Sequence, residues 1–483
     1  MTDKVITVGK PPLWAFILSG VIVLILLWFL RPLFHGVVLQ IFTNPAAFLF
    51  FIALGAGAVM AALDKKKLAR VCFTIVALSF VVMAISIPLF HLSVVKNTEY
   101  SIIPTMYESD ELRVVPLAVA RRFGRDSLTI STQQSGDYDL ISKEGKQYWV
   151  APRIPSSFLL SLSRNVEGLV LVDAQQPSRV IELADQTFTV GEGLFITDNI
   201  FWRLAKEKYF AKVTEVFYVF DESVRDYKIV APFLTYEWAF PRLRPTFGGV
   251  FIVEGNGKVT EVSANEIGQY DYLVNSRVYP EELARLVVES YQYKDGLLNK
   301  WFIHNDQIEV VDLPGQGNQQ PFLLQTKDGL KWVIATEPFG QSFGVSKIFF
   351  IDAVTGKVEL YNTGSALTGP VKVASYVRSE FPMIDWFQNT IVEPRPYIFN
   401  ETLYWLMSIT PSDYGGIAKT VLVSAKTNEV FSFDTHTELS SFISGESTTV
   451  SILSATDNET IDQKIISIER LLQEIKELSK KEE

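Results

Sequence analysis

Three uncharged apolar runs near the N-terminus constrain the fold of this chain more than any other feature. They cover Leu13–Leu30, Ala46–Leu63 and Val71–Phe90. Each approaches the length at which an α-helix crosses the hydrocarbon core of a bilayer. None shows the polar face that a buried helix of this length would carry in a soluble protein. The sequence therefore predicts a membrane region with three spanning helices over residues 1–95.

The distribution of basic residues predicts the orientation of these helices. Lys65, Lys66, Lys67 and Arg70 crowd the short link between the second and third runs, whereas the first link offers chiefly Arg31. Basic links of this kind stay in the cytoplasm. We therefore expect a multi-pass protein of the cell membrane, with a cytoplasmic N-terminus and everything after about Val95 outside.

The second run is unusually rich in small residues, which allow another helix to approach its backbone closely. The candidate packing positions are Ala53, Gly55, Gly57 and Ala61. Two interpretations stay open. These residues pack among the three helices of one chain, or they pack around the symmetry axis of an oligomer.

Charge and cysteine content exclude some partners and some covalent links for the chain after the helices. The formal net charge is −10, and no Lys/Arg stripe interleaved with aromatic residues is present. Such a stripe is what a phosphate backbone requires, so nucleic acid is not expected as a partner. The only cysteine is Cys72, within the third apolar run, so the region after the helices has no disulfide.

A set of elements recurs four times after the membrane region. Each copy begins with a candidate helix of amphipathic spacing and continues with three strands, the last two joined by a tight turn. The candidate helices are Val115–Phe123, Ile200–Phe210, Glu281–Tyr291 and Val371–Phe387. This order predicts an extracytoplasmic α+β region of tandem antiparallel-sheet repeats, two in residues 96–265 and two in residues 266–437.

The closing hairpin of the unit is clearest in Ile351–Glu359, which reads I-D-A-V-T-G-K-V-E. With this hairpin, the α-β-β-β unit resembles the PepSY domain family. The resemblance covers four short units between about Val115 and Phe433, and no chemical motif carries it. It implies a non-enzymatic domain at a cell surface that interacts with or restrains another protein, such as a peptidase. It assigns no functional residues.

A search for chemical motifs finds no catalytic, cofactor-binding or metal-binding constellation. The four histidines, His35, His91, His304 and His436, lack metal-ligand spacing. A carboxylate recurs at the end of a strand in three units, as Asp173, Glu254 and Asp352. Such residues satisfy turn amides, and calcium binding is the alternative interpretation.

Aromatic residues suggest one core position and one contact surface. Trp149, Trp332 and Trp405 recur on the first strand of three units, where we expect them to pack in the core. Exposed aromatic and arginine residues are enriched at interface hot spots. The candidate protein contact is formed by Trp238, Phe240, Arg242 and Arg244.

The C-terminal part is predicted to be a Ser/Thr-rich linker over residues 438–457 and an amphipathic helix over residues 458–483. Apolar residues of this helix repeat at coiled-coil spacing. They are Ile461, Ile465, Ile468, Leu472 and Ile475. The seam is interpreted either as a site of self-association or as a surface that packs against a partner or the protein's own body.

These features favour a membrane-anchored, non-enzymatic scaffold that binds another protein or a second copy of itself, with membrane lipid around its helices. The alternative is a subunit of an oligomeric channel or transport complex. A third hypothesis, a hydrolase with an unfamiliar carboxylate site, would gain support from a deep acidic cleft.

Overall fold

The structure is a computed structural model that describes residues 13–239, 241–313, 319–340, 344–445 and 452–453. Its N-terminal part is helical. The helices are α1 (Leu13–Leu30), a 3-10 turn (Arg31–Phe34), α2 (His35–Thr43), α3 (Pro45–Ala62) and α4 (Lys66–Lys96). Three segments of the described chain, Leu18–Thr43, Pro45–Ala62 and Lys66–Lys96, are long and apolar enough to cross a membrane. The prediction of three long apolar helices is thus confirmed, and α2 is an addition that the sequence did not reveal.

Helices α3 and α4 pack along each other. At Gly57, an added Cβ atom would lie only 3.2 Å from the Cβ atom of Cys72, so a small residue is needed for this approach. Helix α1 does not share this packing. Its side chains between Leu18 and Trp28 are exposed in the isolated chain, where lipid would surround them.

Beyond α4 the described part of the chain forms four sheets with short helices between their strands, which we call the β-region. It begins with β1 (Tyr100–Ile103) and α5 (Leu117–Ser127). The first sheet consists of β2 (Gln133–Ser135), β3 (Asp139–Lys143), β4 (Lys146–Pro155), β5 (Leu169–Asp173) and β6 (Ile181–Ala184), with α6 (Phe158–Ser161) after β4. The second consists of β7 (Lys212–Val213), β8 (Phe217–Asp221), β9 (Asp226–Glu237), β10 (Arg244–Val253) and β11 (Val259–Ser263), and α7 (Ile200–Glu207) precedes it.

The second half of the β-region contains two further sheets. Between the second and third sheets lie α8 (Asp271–Val274), α9 (Glu281–Tyr291), α10 (Gly296–Leu298) and a π-helical turn (Asn299–Ile303). The third sheet combines β1 with β12 (Ile308–Val310), β13 (Phe322–Thr326), β14 (Gly329–Pro338), β15 (Gly344–Asp352) and β16 (Val358–Thr368). After α11 (Pro370–Glu380), the fourth consists of β17 (Asn389–Phe399), β18 (Thr402–Pro411), β19 (Lys419–Ser424), β20 (Val430–Phe433) and β21 (Ile452–Leu453), with α12 (His436–Ser444) before β21.

The first three sheets share one strand order. In each, a long strand (β4, β9 or β14) pairs along one part with the preceding hairpin strand and along another with a short strand. Two further antiparallel strands then follow on its other side. The expected three-strand unit therefore lacks two strands that the structure contains. Descent of these units from one repeat, like the PepSY resemblance, stays a prediction.

The first strand after the membrane helices does not join the nearest sheet in the sequence. Strand β1 pairs in parallel with β16, so that Tyr100 lies opposite Val358. This is a parallel pair in a region that the sequence predicts to be antiparallel. The chain thus enters the β-region at the edge of the third sheet.

Apolar cores are shared between sheets. One cluster joins Leu140 and Trp149 of the first sheet to Trp332 and Phe349 of the third. Another joins the first and second sheets, and another the third and fourth. One apolar cluster thus contains residues from both sides of the predicted boundary between residues 265 and 266, and the boundary itself stays a prediction.

The recurring tryptophans are buried, and each joins a strand to the start of a helix. The indole N–H of Trp149 donates a hydrogen bond to the carbonyl of Val115, at 2.9 Å. Trp332 donates to Tyr279 at 2.9 Å and Trp405 to Thr368 at 2.8 Å. Each acceptor lies two residues before a helix, α5, α9 or α11. In the second sheet, buried Ile229 occupies the equivalent fourth position of β9.

The β-region contacts one end of the bundle of apolar N-terminal helices. Tyr209 donates a hydrogen bond to the carbonyl of Arg31 at 2.9 Å, and the N–H of Leu243 donates to the carbonyl of Thr43 at 3.2 Å. Near the end of α4, His91 stacks on Tyr293 with ring centroids 5.1 Å apart. Helix α2 lies between these contacts, next to the second sheet. We call this set of contacts the seat.

Candidate functional site

A cleft of about 510 Å³ lies where the first three sheets approach one another. Hairpin turns form much of its wall, because Gly145 lies between β3 and β4, and Glu222 lies between β8 and β9. The segment around α8 supplies Asp271, and the loop after β1 supplies Glu111. We call this the acidic cleft, since its lining contains four carboxylates and, among the described residues, no lysine, arginine or histidine.

One of the four carboxylates, Asp221, already forms an ion pair with a lysine that does not line the cleft. Asp221 accepts a hydrogen bond from Lys228 at 2.6 Å and another from the N–H of Ser223 at 3.1 Å. Burial raises the pKa of Asp221, but these hydrogen bonds outweigh burial and the pKa is lowered overall. Asp221 is therefore ionised and paired, and it holds the β8–β9 turn in shape.

The other three carboxylates face the cleft without a cationic partner among the described residues. Burial, with a smaller contribution from Asp110, raises the pKa of Glu111 to about 7. Glu222 accepts the backbone N–H of Glu144 at 3.2 Å, and Asp271 begins the short helix α8. The cleft thus contains three acidic side chains that no described cation pairs with.

Aromatic rings stand beside these carboxylates. The ring centroids of Tyr270 and Tyr272 lie 5.8 Å apart, and Phe220 of β8 also lines the cleft. The ammonium group of Lys228 already lies 4.5 Å from the Tyr272 ring. Carboxylates attract a cation and aromatic faces stabilise it, so the acidic cleft suits a lysine or arginine side chain.

The described residues of the predicted protein contact have different surroundings in the structure. Trp238 is 82% exposed at the tip of the β9–β10 hairpin. Arg244 forms an ion pair with Glu237, and Arg242 lies over the Phe90 ring at 5.3 Å. Phe240 lies outside the described residues. These arginines therefore face the seat, and Trp238 is the described member of the set that stays free for a contact.

The small residues of the second span are also divided. Ala53 and Gly57 are buried, and Gly57 faces α4, as expected for packing within one chain. Gly55 and Ala61 are exposed in the isolated chain. The interpretation as an oligomer interface applies only to this second pair.

The predicted coiled-coil seam, Ile461, Ile465, Ile468, Leu472 and Ile475, lies outside the described residues. The segment before it is structured in part. Helix α12 extends into the predicted Ser/Thr-rich linker, and β21 pairs with β20 through Leu453 and Val430. Leu439 of α12 is fully buried, which explains why this stretch is helical despite its serine content.

Two of the three recurring strand-end carboxylates fit the structural interpretation, whereas Glu254 accepts hydrogen bonds from the side chains of Asn256 and Lys258 instead of turn amides. Asp173 accepts the N–H groups of Gln175 and Gln176 at 2.8 and 3.1 Å. Asp352 does the same for Val354 and Thr355, at 3.1 and 2.8 Å. Within the described part of the chain, no group of three His, Cys, Asp or Glu residues could hold a metal ion.

Comparison of the chain with protein families, with curated proteins and with solved structures finds no match.

Proposed function

We propose that this protein is a membrane-anchored, non-enzymatic binding protein whose acidic cleft captures a basic segment of a partner protein. One observation carries the proposal. Three carboxylates without cationic partners share a cleft with the rings of Tyr270 and Tyr272. A lysine or arginine side chain would supply the missing countercharge and a surface for the rings.

The seat adds a fixed position to this recognition. The second sheet contacts α2 and contributes Asp221 and Glu222 to the cleft, so the cleft is held at a set distance from the membrane. A fixed position favours binding by a scaffold protein, because a preorganised site loses less conformational freedom when it binds.

We also propose that the β-region lies outside the cytoplasm. The basic turn at Lys65 and Lys66 joins α3 to α4 at the end opposite the seat. If the basic turn is cytoplasmic, the β-region must be external. Protease added to intact cells should then cleave the β-region while sparing a tag placed before Thr2. Full protection of the β-region would assign it to the cytoplasm.

Peptide binding tests the proposed recognition. Full-length protein in neutral-lipid nanodiscs is titrated with a fluorescent oligolysine peptide. A double variant, Glu222→Gln with Asp271→Asn, should weaken binding about tenfold or more, the equivalent of about 1.4 kcal/mol. The matched control, Glu380→Gln with Glu401→Gln, changes the net charge equally in the fourth unit and should retain the parent affinity.

Two results would contradict the proposal. Equal affinity of the parent and the cleft variant would remove the acidic cleft as the binding site. Cleavage of the peptide during the titration would support the hydrolase hypothesis instead, since paired carboxylates can also act as acid and base.

A second candidate function is a subunit of an oligomeric channel or transport complex. It is favoured by the exposed faces of the spanning helices, which include α1 and the small residues Gly55 and Ala61. Native mass measurement of the detergent-extracted protein would establish the oligomer, and flux measurements would establish transport. If the tail seam holds subunits together, replacing Ile468 and Leu472 by Asp should dissociate them, because unpaired charge in a seam is unfavourable.

A further inference from the structure

A second cavity, of about 580 Å³, lies at the seat and is separate from the acidic cleft. Its walls come from α2, from the β9–β10 hairpin and from one face of α9. We call it the juxtamembrane cavity. Its apolar lining includes Leu39, Phe90, Leu234, Leu283 and Leu286. It also contains basic, acidic and amide side chains, so its character is amphipathic.

Two of the three cations in this lining are already paired. Lys212 binds Glu282 with distances of 2.5 and 2.6 Å to its two oxygens. Arg285 binds Glu289 at 2.7 Å and Asp312 at 2.7 Å. Among the lining residues, the charge of Lys212 cancels that of Glu282 and the charge of Arg285 cancels that of Glu289, whereas Asp312 lies outside the lining.

Arg242 is different. No described carboxylate lies within ion-pair distance of its guanidinium, which instead lies over the ring of Phe90 at 5.3 Å. Phe90 belongs to α4, at the end that carries the β-region. The uncompensated charge of the cavity is therefore one arginine, placed where a spanning helix meets the β-region.

The position relative to the bilayer is set by α2. This helix joins the first span to the second, with Leu39 and Thr43 buried toward the β-region. Leu33, Phe34 and Val37 of the same connection are exposed, as in a helix that lies in the membrane interface. An interfacial α2 would place the cavity near the level of lipid phosphate groups, with its apolar walls next to the acyl chains.

We propose that the juxtamembrane cavity binds the phosphate group of an anionic phospholipid, with Arg242 as the residue that contacts it. Arginine suits a phosphate because its planar guanidinium offers several N–H donors to the phosphate oxygens. Gln40 and Tyr236 line the same space and provide further polar groups. The apolar walls accommodate the glycerol backbone and the beginning of the acyl chains. This proposal does not depend on the function of the acidic cleft.

Native mass spectrometry of the detergent-solubilised full-length protein tests the site. Phosphatidylglycerol, phosphatidylcholine and inorganic phosphate are added separately, and the occupancy of the bound species is compared. The parent should retain phosphatidylglycerol, and Arg242→Gln should reduce its affinity about tenfold, the equivalent of about 1.4 kcal/mol. Arg242→Lys should recover part of the affinity, since it restores the charge without the planar donor group.

Arg378→Gln on α11, which does not line the cavity, is the matched control and should bind as the parent does. Equal melting temperatures for all variants would exclude misfolding as the cause. Unchanged phosphatidylglycerol occupancy in Arg242→Gln would overturn the proposal. Occupancy by inorganic phosphate equal to that by phosphatidylglycerol, at the same concentration, would also overturn it by identifying free phosphate as the ligand.

Discussion

Arg277 binds two carboxylates from different sheets, Asp139 of β3 in the first and Glu215 next to β8 of the second. One guanidinium nitrogen pairs with Asp139, and the other lies 3.1 Å from Glu215. The Arg277 side chain is almost completely buried, since 8% of it is exposed. A single cation from the segment between α8 and α9 thus joins the first and second sheets.

We expect Arg277→Met to destabilise the β-region by about 3–5 kcal/mol, because it leaves two largely buried carboxylates without their partner. The control is Arg164→Met, which breaks the exposed Arg164–Glu167 pair and should cost about 1 kcal/mol or less. Thermal unfolding of the two variants in detergent measures the difference. Equal melting temperatures would mean that Arg277 does not hold the sheets together.

Stability should fall as pH rises from about 5 to 9. Burial raises the pKa of Glu192 to about 8 and that of Glu281 to about 7, with neighbouring carboxylates adding to both shifts. A carboxyl whose pKa is raised on folding stabilises the fold fully below its unfolded value of about 4.3. That contribution is lost as pH rises through the folded values. Melting temperatures measured across this pH range give the slope, and Glu192→Gln should make the slope smaller. A stability that rises with pH would contradict the prediction.

Trp405→Phe should cost about 1–3 kcal/mol, because it keeps an aromatic ring in the core but leaves the partly buried carbonyl of Thr368 without its donor. Trp238→Phe, at the exposed hairpin tip, should change stability by about 0.5 kcal/mol or less. The free energy of unfolding of both variants is compared by denaturant titration. A neutral Trp405→Phe would show that ring packing alone joins β18 to α11.

The segment after α9 should touch the membrane surface. Leu298, Trp301 and Ile303 are exposed there, and Phe302 is 74% exposed. Lys300 lies beside Tyr293, which stacks on His91 of α4. In a Cys72→Ser background, a fluorophore at Phe302→Cys should therefore be quenched by nitroxide-labelled lipids. The same probe at Met383→Cys, which is 96% exposed on the loop after α11, should not be quenched. Equal quenching at the two positions would rule out this contact.

Local patterns predicted much of the secondary structure. Glu281–Tyr291 is a helix with the predicted bounds, because Pro280 and two glutamates favour its start and its apolar residues lie on one face. The helix predicted over Val371–Phe387 ends at Glu380 instead. Phe381 precedes Pro382, and a residue before proline disfavours the helical conformation.

The sites could not be predicted in the same way. Glu111, Glu222 and Asp271 are brought together by turns of different sheets, and no spacing along the chain indicates this. The sequence identified Arg242 as a candidate contact residue. Its position beside Phe90, however, depends on how the second sheet packs against α2 and α4. Helix α2 itself was hidden because its apolar residues resemble those of the spans on either side.

The parallel pairing of β1 with β16 sets an order for synthesis and folding. The chain forms β1 directly after α4, yet the partner strand of β1 begins only at Val358. Chains fold progressively as they are made, so the first two sheets can form while β1 still has an unpaired edge. Closing so long a loop is entropically costly and slow compared with forming a hairpin. Attachment of the third sheet to the membrane helices should therefore be a late step, and a chain truncated before Val358 would lack the strand that completes it.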